Sequence, residues 1–427
     1  MPQPMASSVR RIIRSAAHLA PGEALSRICF VAIVVFLGHT CGVVVLGVYA
    51  LAATISQYLQ PTIDFGLKHI GARLVAQRPH LAGEIVRRVQ SRRLRMAGLV
   101  LPFIVIYIVA VKLPASMKVF LLVFSFSSAL YAVSLDWAAW GKNHLQLLGY
   151  ARAVVPVSIL AFLFLGYRHA GQVLWWVAAG NIFGYVAQAA VFWAWWKKHQ
   201  PHGSATVEEE TSIANSLAWR RSSIMGLAWM GNLAFNSIDM LMLGLMSNPQ
   251  QVGLYSAAYR VLNQALMAYY LFTQTLYPEL SRQSTVQRIR MLRAKILLVL
   301  LGGGVAIAAA VVMVRRPLIT LLFGHQFLAA CPLLALLAWA IPLDFVTSYL
   351  GNAYIAWGME KSILLCTGIG AASNILLNLR WIPVYGATAA AVNTLVSYLI
   401  FLVSLALVGR FAKELAPETP AMPGLAG

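Results

Sequence analysis

The sequence predicts an all-α polytopic membrane protein with about twelve transmembrane helices, arranged as two parallel, pseudo-symmetric six-helix lobes. Of its 427 residues, 60% are hydrophobic and only 11% are charged, whereas a soluble protein carries about a quarter charged residues. Apolar runs long enough to cross about 30 Å of hydrocarbon recur along the chain, and Lys and Arg concentrate at alternate ends of these runs. In addition, several short motifs occur twice, in the same order.

The positions of the basic residues predict the orientation of the chain. There are 33 Lys and Arg against 13 Asp and Glu, which gives a formal net charge of +20. Most of the basic residues lie at the predicted inner ends of the spans. Those at the predicted outer ends are Lys112, Lys118, Arg168, Arg315, Arg316 and Arg380. This asymmetry predicts cytoplasmic N and C termini and a basic face toward an anionic leaflet, so nucleic acid is not expected as a partner.

Five segments are predicted along the chain. An interfacial amphipathic helix over residues 1–20 leads into an N-lobe over 21–197. A cytoplasmic linker over 198–220 precedes a C-lobe over 221–413, and a tail over 414–427, rich in Pro, Gly and Ala, is expected to be disordered. The predicted spans cover residues 22–39, 43–66, 95–112, 118–139, 147–166, 173–196, 222–246, 253–278, 294–314, 329–352, 361–381 and 386–410.

An internal repeat relates the two lobes. The matched motifs are GVYALAA from Gly47 with GLYSAAY from Gly253, AWGKNHLQLL from Ala139 with AWGMEKSILL from Ala356, and AAGNIFGY from Ala178 with AAVNTLVSY from Ala390. An even number of spans per lobe gives both lobes the same orientation, with a pseudo-twofold axis along the membrane normal. Such repeats are typical of alternating-access transporters, and the alternative is a duplication retained only for packing.

Charged residues inside predicted spans are the first candidate site residues, because an ionisable group in hydrocarbon usually faces water or an opposite charge. Asp239 and Arg260 flank a short turn at similar distances and are expected at similar depth. They could form a salt bridge, or Arg260 could bind an anion while Asp239 takes part in ion coupling. Arg27 could likewise bind an anion, extend to the inner headgroups, or pair with Glu23.

Polar residues at helical spacing give several spans a polar face. Single Asn or Ser residues of this kind often bond only to a neighbouring helix, but the whole set predicts a hydrated central cavity. The predicted substrate-binding residues are Arg27, Arg260, Asn232, Asn236, Asn263, Gln57 and Tyr58, and the predicted coupling residues are Asp239 and Asp344. Asp64 and Lys68, four residues apart near an inner end, are expected to form a surface pair.

No catalytic motif points to an enzyme. The sequence has no G-x-S-x-G, no H-E-x-x-H and no phosphate-binding loop, and its nine histidines are scattered through the connections. Its four cysteines lack metal or redox spacing. Neither a cofactor nor a metal is predicted.

Several blocks of sequence resemble a known family. They include LGVYALAATISQYLQPTIDFGLKHIGARLVA at Leu46–Ala76, IDMLMLGLMSNPQQVGLYSAAYR at Ile238–Arg260 and YPELSR at Tyr277–Arg282. Over nearly its whole length the chain resembles the lipid-linked oligosaccharide flippases, of the O-antigen and exopolysaccharide type, of the multidrug/oligosaccharidyl-lipid/polysaccharide exporter superfamily.

The resemblance implies a fold, a substrate and partners. Two six-helix lobes would pass a polyprenyl-diphosphate-linked glycan through a cationic cavity, driven by an ion gradient or the membrane potential. The protein would lie in a bacterial inner (cytoplasmic) membrane, among membrane lipids, with H⁺ or Na⁺ as coupling ion and with polysaccharide polymerase or assembly proteins as partners. Related lipid II flippases use arginines in the first and eighth spans, and Arg27 and Arg260 lie at comparable places.

Three other functions stay open at this point. A multidrug cation antiporter of the same fold would need a cavity with net negative charge. A polytopic glycosyltransferase or glycan ligase would need a large outer loop with a catalytic cluster. A membrane scaffold would have no hydrated cavity.

Overall fold

The described part of the chain is helical and contains no strand in the computed structural model. The structure describes residues 5–166, 168, 172–201, 208, 209, 211, 213, 217, 219–282, 286–356 and 359–415. The helices are α1 (Met5–Asp64), α2 (Leu67–Gln77), α3 (Ala82–Ala110), α4 (Ala115–Ala129), α5 (Asp136–Gly141), α6 (Leu145–Gly166), α7 (Val173–His199), α8 (Trp219–Met246), α9 (Pro249–Arg282), α10 (Val286–Phe323), α11 (Cys331–Ala338), α12 (Ala340–Ala356) and α13 (Glu360–Leu415). Short 3-10 helices lie at Pro79–Leu81, Leu130–Val133 and His325–Ala330.

Eight helical stretches of the described residues are long and apolar enough to cross a membrane. Two of them, Leu19–Asp64 with 46 residues and Glu360–Val408 with 49, are more than twice as long as the hydrocarbon core is thick, at 1.5 Å per residue. Each therefore has the length of two of the predicted spans. The total of twelve spans and the cytoplasmic location of both termini stay predictions.

Both long helices bend at a glycine. Gly42 has φ 85° and ψ 179°, and Gly386 has φ 57° and ψ −133°. These angles strain any residue that carries a side chain, and glycine adopts them readily. The bends lie where the sequence predicts that a second span begins, at residue 43 in α1 and at residue 386 in α13.

Large apolar side chains are exposed along several helices. Phe103 and Ile106 on α3 and Met313 and Leu321 on α10 are 65–76% exposed. A soluble protein rarely leaves so much apolar surface in water, whereas hydrocarbon solvates it without cost. Together with the eight membrane-length stretches, these surfaces identify a multi-pass membrane protein.

The chain divides into two compact units. Unit 1 comprises Met1–Leu233, Met240–Ser256 and Leu318–Leu328, and unit 2 comprises Ala234–Asp239, Ala257–Pro317 and Ala329–Gly427. The predicted segments 1–20, 21–197, 198–220, 221–413 and 414–427 stay predictions. Most of the linker and the tail lies outside the described residues.

An apolar core in unit 1 holds α2 against α5. Trp137 on α5 is fully buried, together with Val89 on α3 and Val75 on α2. Gly71 on α2 leaves room for the Trp137 ring, since a Cβ at this position would lie 2.7 Å from that ring. Lys68 and Asp136 lie in the first turns of α2 and α5, so this packing brings their two helix ends together.

The first pair of matched motifs meets inside unit 1. Gly47 on α1 and Gly253 on α9 begin the two motifs, and a Cβ on Gly47 would lie 2.8 Å from the backbone nitrogen of Gly253. A Cβ on Gly253 would clash with the carbonyl oxygen of Val43. The two helices therefore approach to backbone contact at this point, which requires residues without side chains.

Candidate functional site

Five side chains from five elements meet inside unit 1: Asp64, Lys68, Arg93, Tyr131 and Asp136. We call this group the charge cluster. Asp64 ends α1, Lys68 lies in the first turn of α2 and Arg93 lies in α3. Tyr131 belongs to the 3-10 helix Leu130–Val133, and Asp136 begins α5. Two carboxylates and two cations therefore compensate one another at this place.

The turn between α1 and α2 separates Asp64 from Lys68. Gly66 has a φ of 83°, so the helix ends and the two residues do not share one helix face. The predicted surface pair between Asp64 and Lys68 is therefore wrong. Asp64 is buried and pairs with Arg93, and Lys68 pairs with Asp136.

Arg93 is fully buried, and acceptors surround its guanidinium group. Its Nε lies 2.8 Å from Oδ1 of Asp64. Its terminal nitrogens donate to the carbonyl oxygen of Ser134 (2.6 Å), the carbonyl oxygen of Tyr131 (3.0 Å) and Oε1 of Gln90 (3.1 Å). A buried guanidinium is stable only when such partners replace its water, so Arg93 is fixed in place.

Lys68 has fewer partners and more exposure. Its Nζ lies 2.6 Å from Oδ2 of Asp136 and 3.2 Å from the Tyr131 hydroxyl. The Tyr131 hydroxyl donates to Oδ2 of Asp64 at 2.8 Å and lies 3.5 Å from Oδ2 of Asp136. The side chain of Lys68 is 20% exposed, whereas that of Asp136 is 4% exposed. Lys68 is therefore the cation of the cluster that reaches its open side.

A cavity of about 550 Å³ lies beside the charge cluster, within unit 1. Its wall combines charged, polar and apolar side chains: Leu19, Gln57, Gln60, Pro61, Asp64, Gly66, Lys68, His69, Tyr131, Trp140, Leu145, Leu148, Arg152, Gly226, Trp229 and Leu233. The volume is in the range of small-molecule sites, and this mixture suits a ligand with both polar and apolar parts.

The charged residues on the wall are two cations and one carboxylate, which gives a formal charge of +1. Lys68 and Arg152 are the cations and Asp64 is the carboxylate. Burial lowers the pKa of His69, and the nearby Lys68 charge lowers it further, so the His69 ring is neutral at pH 7. Arg152 also pairs with Glu23, outside the cavity wall. Anions are thus the charged ligands that this wall favours.

A buried polar network in unit 2 surrounds Asp239. Nδ2 of Asn378 donates to Oδ1 of Asp239 at 2.5 Å, and Oγ1 of Thr394 donates to Oδ2 at 2.9 Å. Asn378 also bonds to Oδ1 of Asn374 (2.6 Å) and accepts from Nδ2 of Asn393 (3.0 Å). All five side chains are buried. These amide and hydroxyl groups hold a carboxylate at a fixed position inside the unit.

Asp344 forms a smaller polar group in unit 2. Its Oδ1 accepts from the Tyr398 hydroxyl at 3.2 Å and lies 3.5 Å from the Ser348 hydroxyl. The Tyr398 ring packs edge-on against Phe235, with 5.0 Å between the ring centroids. Among the described residues, no three His, Cys, Asp or Glu side chains come together as the ligands of a metal ion would.

The sequence matches one protein family over part of its length. Residues 96–284 match the family described as polysaccharide biosynthesis protein. No match was found among curated proteins.

Solved structures match almost the whole chain. A structure described as the lipid II flippase MurJ in an inward closed conformation has a TM-score of 0.66 and 14% identity, covering 92% of this chain and 87% of that one. An inward-facing multidrug resistance MATE family transporter of the MOP superfamily has a TM-score of 0.67 and 13% identity, covering 93% and 96%. A MOP superfamily transporter from Pyrococcus furiosus, described as having a binding pocket of reverse polarity, has a TM-score of 0.61 and 11% identity, covering 94% and 95%.

The chain has the fold of the multidrug/oligosaccharidyl-lipid/polysaccharide exporter superfamily. The resemblance that the sequence predicts is confirmed at this level. The structures named above are transporters and a flippase of this superfamily, which agrees with the prediction that the chain is not an enzyme.

Four of the predicted binding residues lie in unit 1. Gln57 is exposed and lines the cavity. Tyr58 is half-buried, and its hydroxyl donates to the carbonyl oxygen of Leu233 at 3.1 Å. Arg27 and Asn232 are exposed. The structure brings Gln57 to the cavity, and the roles of all four residues in binding stay predictions.

The other predicted site residues lie in unit 2. Asn236 and Arg260 are half-buried, and Asn263 is exposed. The Tyr259 hydroxyl donates to the carbonyl oxygen of Asn236. Substrate binding by Arg260, the pairing of Arg260 with Asp239, and the coupling roles of Asp239 and Asp344 stay predictions.

The sequence does not single out three members of the charge cluster: Arg93, Tyr131 and Asp136. One signal was available, because Asp136 is a carboxylate inside a predicted span, like Asp239. Arg93 gives no such signal, since it lies among basic residues in a predicted cytoplasmic connection.

Proposed function

We propose that this protein is a flippase that moves a polyprenyl-diphosphate-linked oligosaccharide from the inner to the outer leaflet of a bacterial cytoplasmic membrane, for polysaccharide biosynthesis. Transport proceeds by alternating access and is coupled to an ion gradient or to the membrane potential. The observation that carries the proposal is the cavity in unit 1, whose wall is cationic and also offers polar and apolar groups. The match to a polysaccharide biosynthesis family supports the same substrate class.

The diphosphate is the part of such a substrate that most needs protein partners. Its negative charge is costly to move into a membrane without compensation. Lys68 and Arg152 on the cavity wall supply positive charge that can compensate the diphosphate. Arg27 and Arg260 serve as further sites along the route, because a guanidinium group stays charged and can donate two parallel hydrogen bonds to a phosphate.

The sugar needs hydrogen bonds without charge. Gln57 offers an exposed amide at the cavity, and Tyr58 lies next to it in the sequence. Asn232, Asn236 and Asn263 supply further amides, each of which can donate and accept. The polyprenyl tail stays in the bilayer, where the exposed apolar faces of the helices meet lipid.

Coupling is assigned to the carboxylates of unit 2. Asp239 takes up and releases H⁺ or Na⁺, and Asp344 assists it. The carboxylate oxygens of Asp239 and the Thr394 hydroxyl oxygen beside them are the ligand type that a hard cation prefers, and the same carboxylate can accept a proton. Membrane lipids surround the protein, and polysaccharide polymerase or assembly proteins are its proposed partners.

A multidrug cation antiporter is the main alternative, since matched structures include a multidrug resistance transporter. A site for organic cations needs an excess of carboxylates. The cavity of unit 1 has the opposite balance, with Lys68 and Arg152 against Asp64. The charge of the wall therefore favours an anionic substrate.

Removal of the gene tests the proposal directly. Cells without the protein are expected to lose surface polysaccharide and to accumulate the complete lipid-linked oligosaccharide at the inner leaflet, which mass spectrometry of extracted lipids would identify. Normal export, or accumulation of an incomplete glycan that points to a missing glycosyltransferase, would overturn it.

Substitution of Arg260 tests the proposed route. Arg260→Ala is expected to reduce glycan export about tenfold or more, since a tenfold loss corresponds to only about 1.4 kcal/mol of lost interaction. Membrane insertion should be normal, and Arg260→Lys should retain part of the export. Wild-type export by Arg260→Ala would remove this residue from the mechanism.

A further inference from the structure

We propose that Lys68 is an anion-binding residue of the cavity, and that Asp136 is an exchangeable counterion that holds Lys68 until a phosphate group replaces it. The inference rests on the proposed function for the identity of the ligand, which is the diphosphate of a lipid carrier. It adds Lys68 as a binding residue, where the sequence predicted only a surface pair, and Tyr131 as a positioning residue that the sequence did not single out.

The position of Lys68 between the cavity and Asp136 is the first support. Lys68 lines the cavity, whereas Asp136 lies behind it and is almost fully buried. The ammonium group lies 2.6 Å from the carboxylate, at the end of a flexible stem. A change of side-chain rotamer can therefore turn the same charge toward the cavity without moving the helix.

The contrast with Arg93 is the second support. Arg93 has no exposed surface, and its guanidinium has four acceptors around it. Lys68 has three N–H donors, and its described hydrogen bonds, to Asp136 and Tyr131, use two of them. The guanidinium of Arg93 is therefore held in one position, whereas Lys68 retains one N–H donor for a ligand.

A replacement donor for Asp136 is the third support. The Tyr131 hydroxyl lies 2.8 Å from Asp64 and 3.5 Å from Asp136. When Lys68 turns away, a small rotation of this O–H lets it donate to Asp136. Asp64 still keeps its pair with Arg93, so neither carboxylate is left without a partner. Tyr131 thus acts as a positioning residue for the exchange.

The replacement of Asp136 by a phosphate group as the partner of Lys68 also determines which ligands the cavity selects. While Lys68 is paired with Asp136, part of its charge is compensated, so the wall attracts anions less strongly than it does once the pair has opened. An arriving phosphate competes with one carboxylate, and the oxygens of a diphosphate present more charge than Asp136 does. The site therefore selects ligands that carry more negative charge than a single carboxylate.

Isothermal titration of the purified full-length protein with farnesyl diphosphate tests the proposal. Lys68→Ala is expected to weaken binding about tenfold or more, because a partly buried charged partner is lost. Asp136→Asn is expected to strengthen binding about fivefold, because the competing charge is removed.

Tyr131→Phe should weaken the binding of farnesyl diphosphate. The control is Lys118→Ala, which removes an amino group bonded to the Val109 carbonyl and should leave the affinity unchanged.

Two ligands control for the chemistry. Farnesol, which has the tail without the phosphates, should bind equally to wild type and to Lys68→Ala. Inorganic diphosphate should bind more weakly than farnesyl diphosphate, and equal affinity would assign the site to free phosphate instead of a lipid headgroup.

The double variant Lys68→Ala/Asp136→Asn removes both charges of the ion pair. It should therefore fold even if the single variant Asp136→Asn does not. Its affinity for farnesyl diphosphate should be as low as that of Lys68→Ala.

Two results would overturn the proposal. One is wild-type affinity of Lys68→Ala for farnesyl diphosphate. The other is weaker binding by a folded Asp136→Asn, which would show that the ion pair only supports the structure. The proposed function can fail separately. If binding depends on Lys68 as described but cells without the protein export glycan normally, the anion-binding site is supported and the flippase role is refuted.

Discussion

Buried carboxylates occur in both units, but their partners differ. In unit 1, Asp64 lies 2.8 Å from the guanidinium of Arg93, and Asp136 lies 2.6 Å from the ammonium of Lys68. In unit 2, the hydrogen bonds that the structure describes for Asp239 come from an amide and a hydroxyl group. Unit 1 thus compensates its carboxylates with full charges, and the described donors in unit 2 are neutral.

The difference suggests that the carboxylates of the two units have different roles. A full opposite charge stabilises the ionised carboxylate, and the Asp64–Arg93 pair is the costlier of the two to break, because Arg93 has no exposed surface. An amide and a hydroxyl group orient a carboxylate without neutralising its charge. We therefore expect unit 1 to depend on its carboxylates for structure, and unit 2 to depend on them for the proposed coupling.

The largest expected effect is the loss of the fixed charge in unit 1. Arg93→Met leaves Asp64 buried without its cation, which should reduce the free energy of unfolding by about 3–5 kcal/mol. Denaturant unfolding in detergent micelles would measure this. The matched control is Arg95→Met, two residues further along α3, where an exposed arginine bonds only to Ser91 in the described contacts and the change should be about 0.5 kcal/mol or less. Equal effects of the two substitutions would remove the special role of Arg93.

An intermediate effect is expected at Asp239 in unit 2. Asp239→Asn preserves the shape of the side chain and can still accept from Asn378, so the protein should fold with nearly wild-type stability. Glycan export should fall about tenfold, because the proposed coupling group is lost. Transport into vesicles at varied pH and Na⁺ concentration would measure this, and an unchanged dependence on both ions would refute the coupling role.

Asp64→Asn is the matched substitution in unit 1. It should destabilise the protein, because it leaves the fully buried Arg93 without its opposite charge. If Asp239→Asn destabilised the protein equally, the distinction between the two units would fail.

The smallest effect is expected at Asp344. Tyr398→Phe removes one hydrogen bond of 3.2 Å but keeps the ring that packs against Phe235, so it should cost about 1 kcal/mol of stability. Ser348→Ala should cost less, because the 3.5 Å separation is long for a hydrogen bond. Thermal unfolding of both variants would test this order. A loss for Tyr398→Phe as large as for Arg93→Met would indicate that Asp344 is compensated as tightly as the carboxylates of unit 1.

The sequence predicts the fold well because membrane solvation acts on each span separately. The apolar runs and the basic asymmetry indicate where helices lie, and even the bends at Gly42 and Gly386 fall at predicted span boundaries. The number of spans is harder to predict, since two long helices each have the length of two predicted spans. The family resemblance follows from blocks of local sequence, and the matched structures agree with the fold that it implies.

The site was less predictable, because its contacts join residues far apart in the chain. Lys68 and Asp136 are distant in sequence and meet through the packing of Trp137 on Gly71. The expected pair of Asp64 with Lys68 assumed a continuous helix, and the left-handed conformation of Gly66 removes that helix. Asp239 was predicted from its charge alone, and the structure adds the buried amides and hydroxyl around it.

The contact between Gly47 and Gly253 suggests how the chain arose. Two residues that begin equivalent motifs lie against each other, as one residue and its own copy would lie on the twofold axis of a homodimer. A half-length ancestor that paired with itself through this glycine would become the present protein by gene fusion. In such an ancestor a single mutation to alanine would have altered both sides of the interface at once, whereas after fusion each side can change alone.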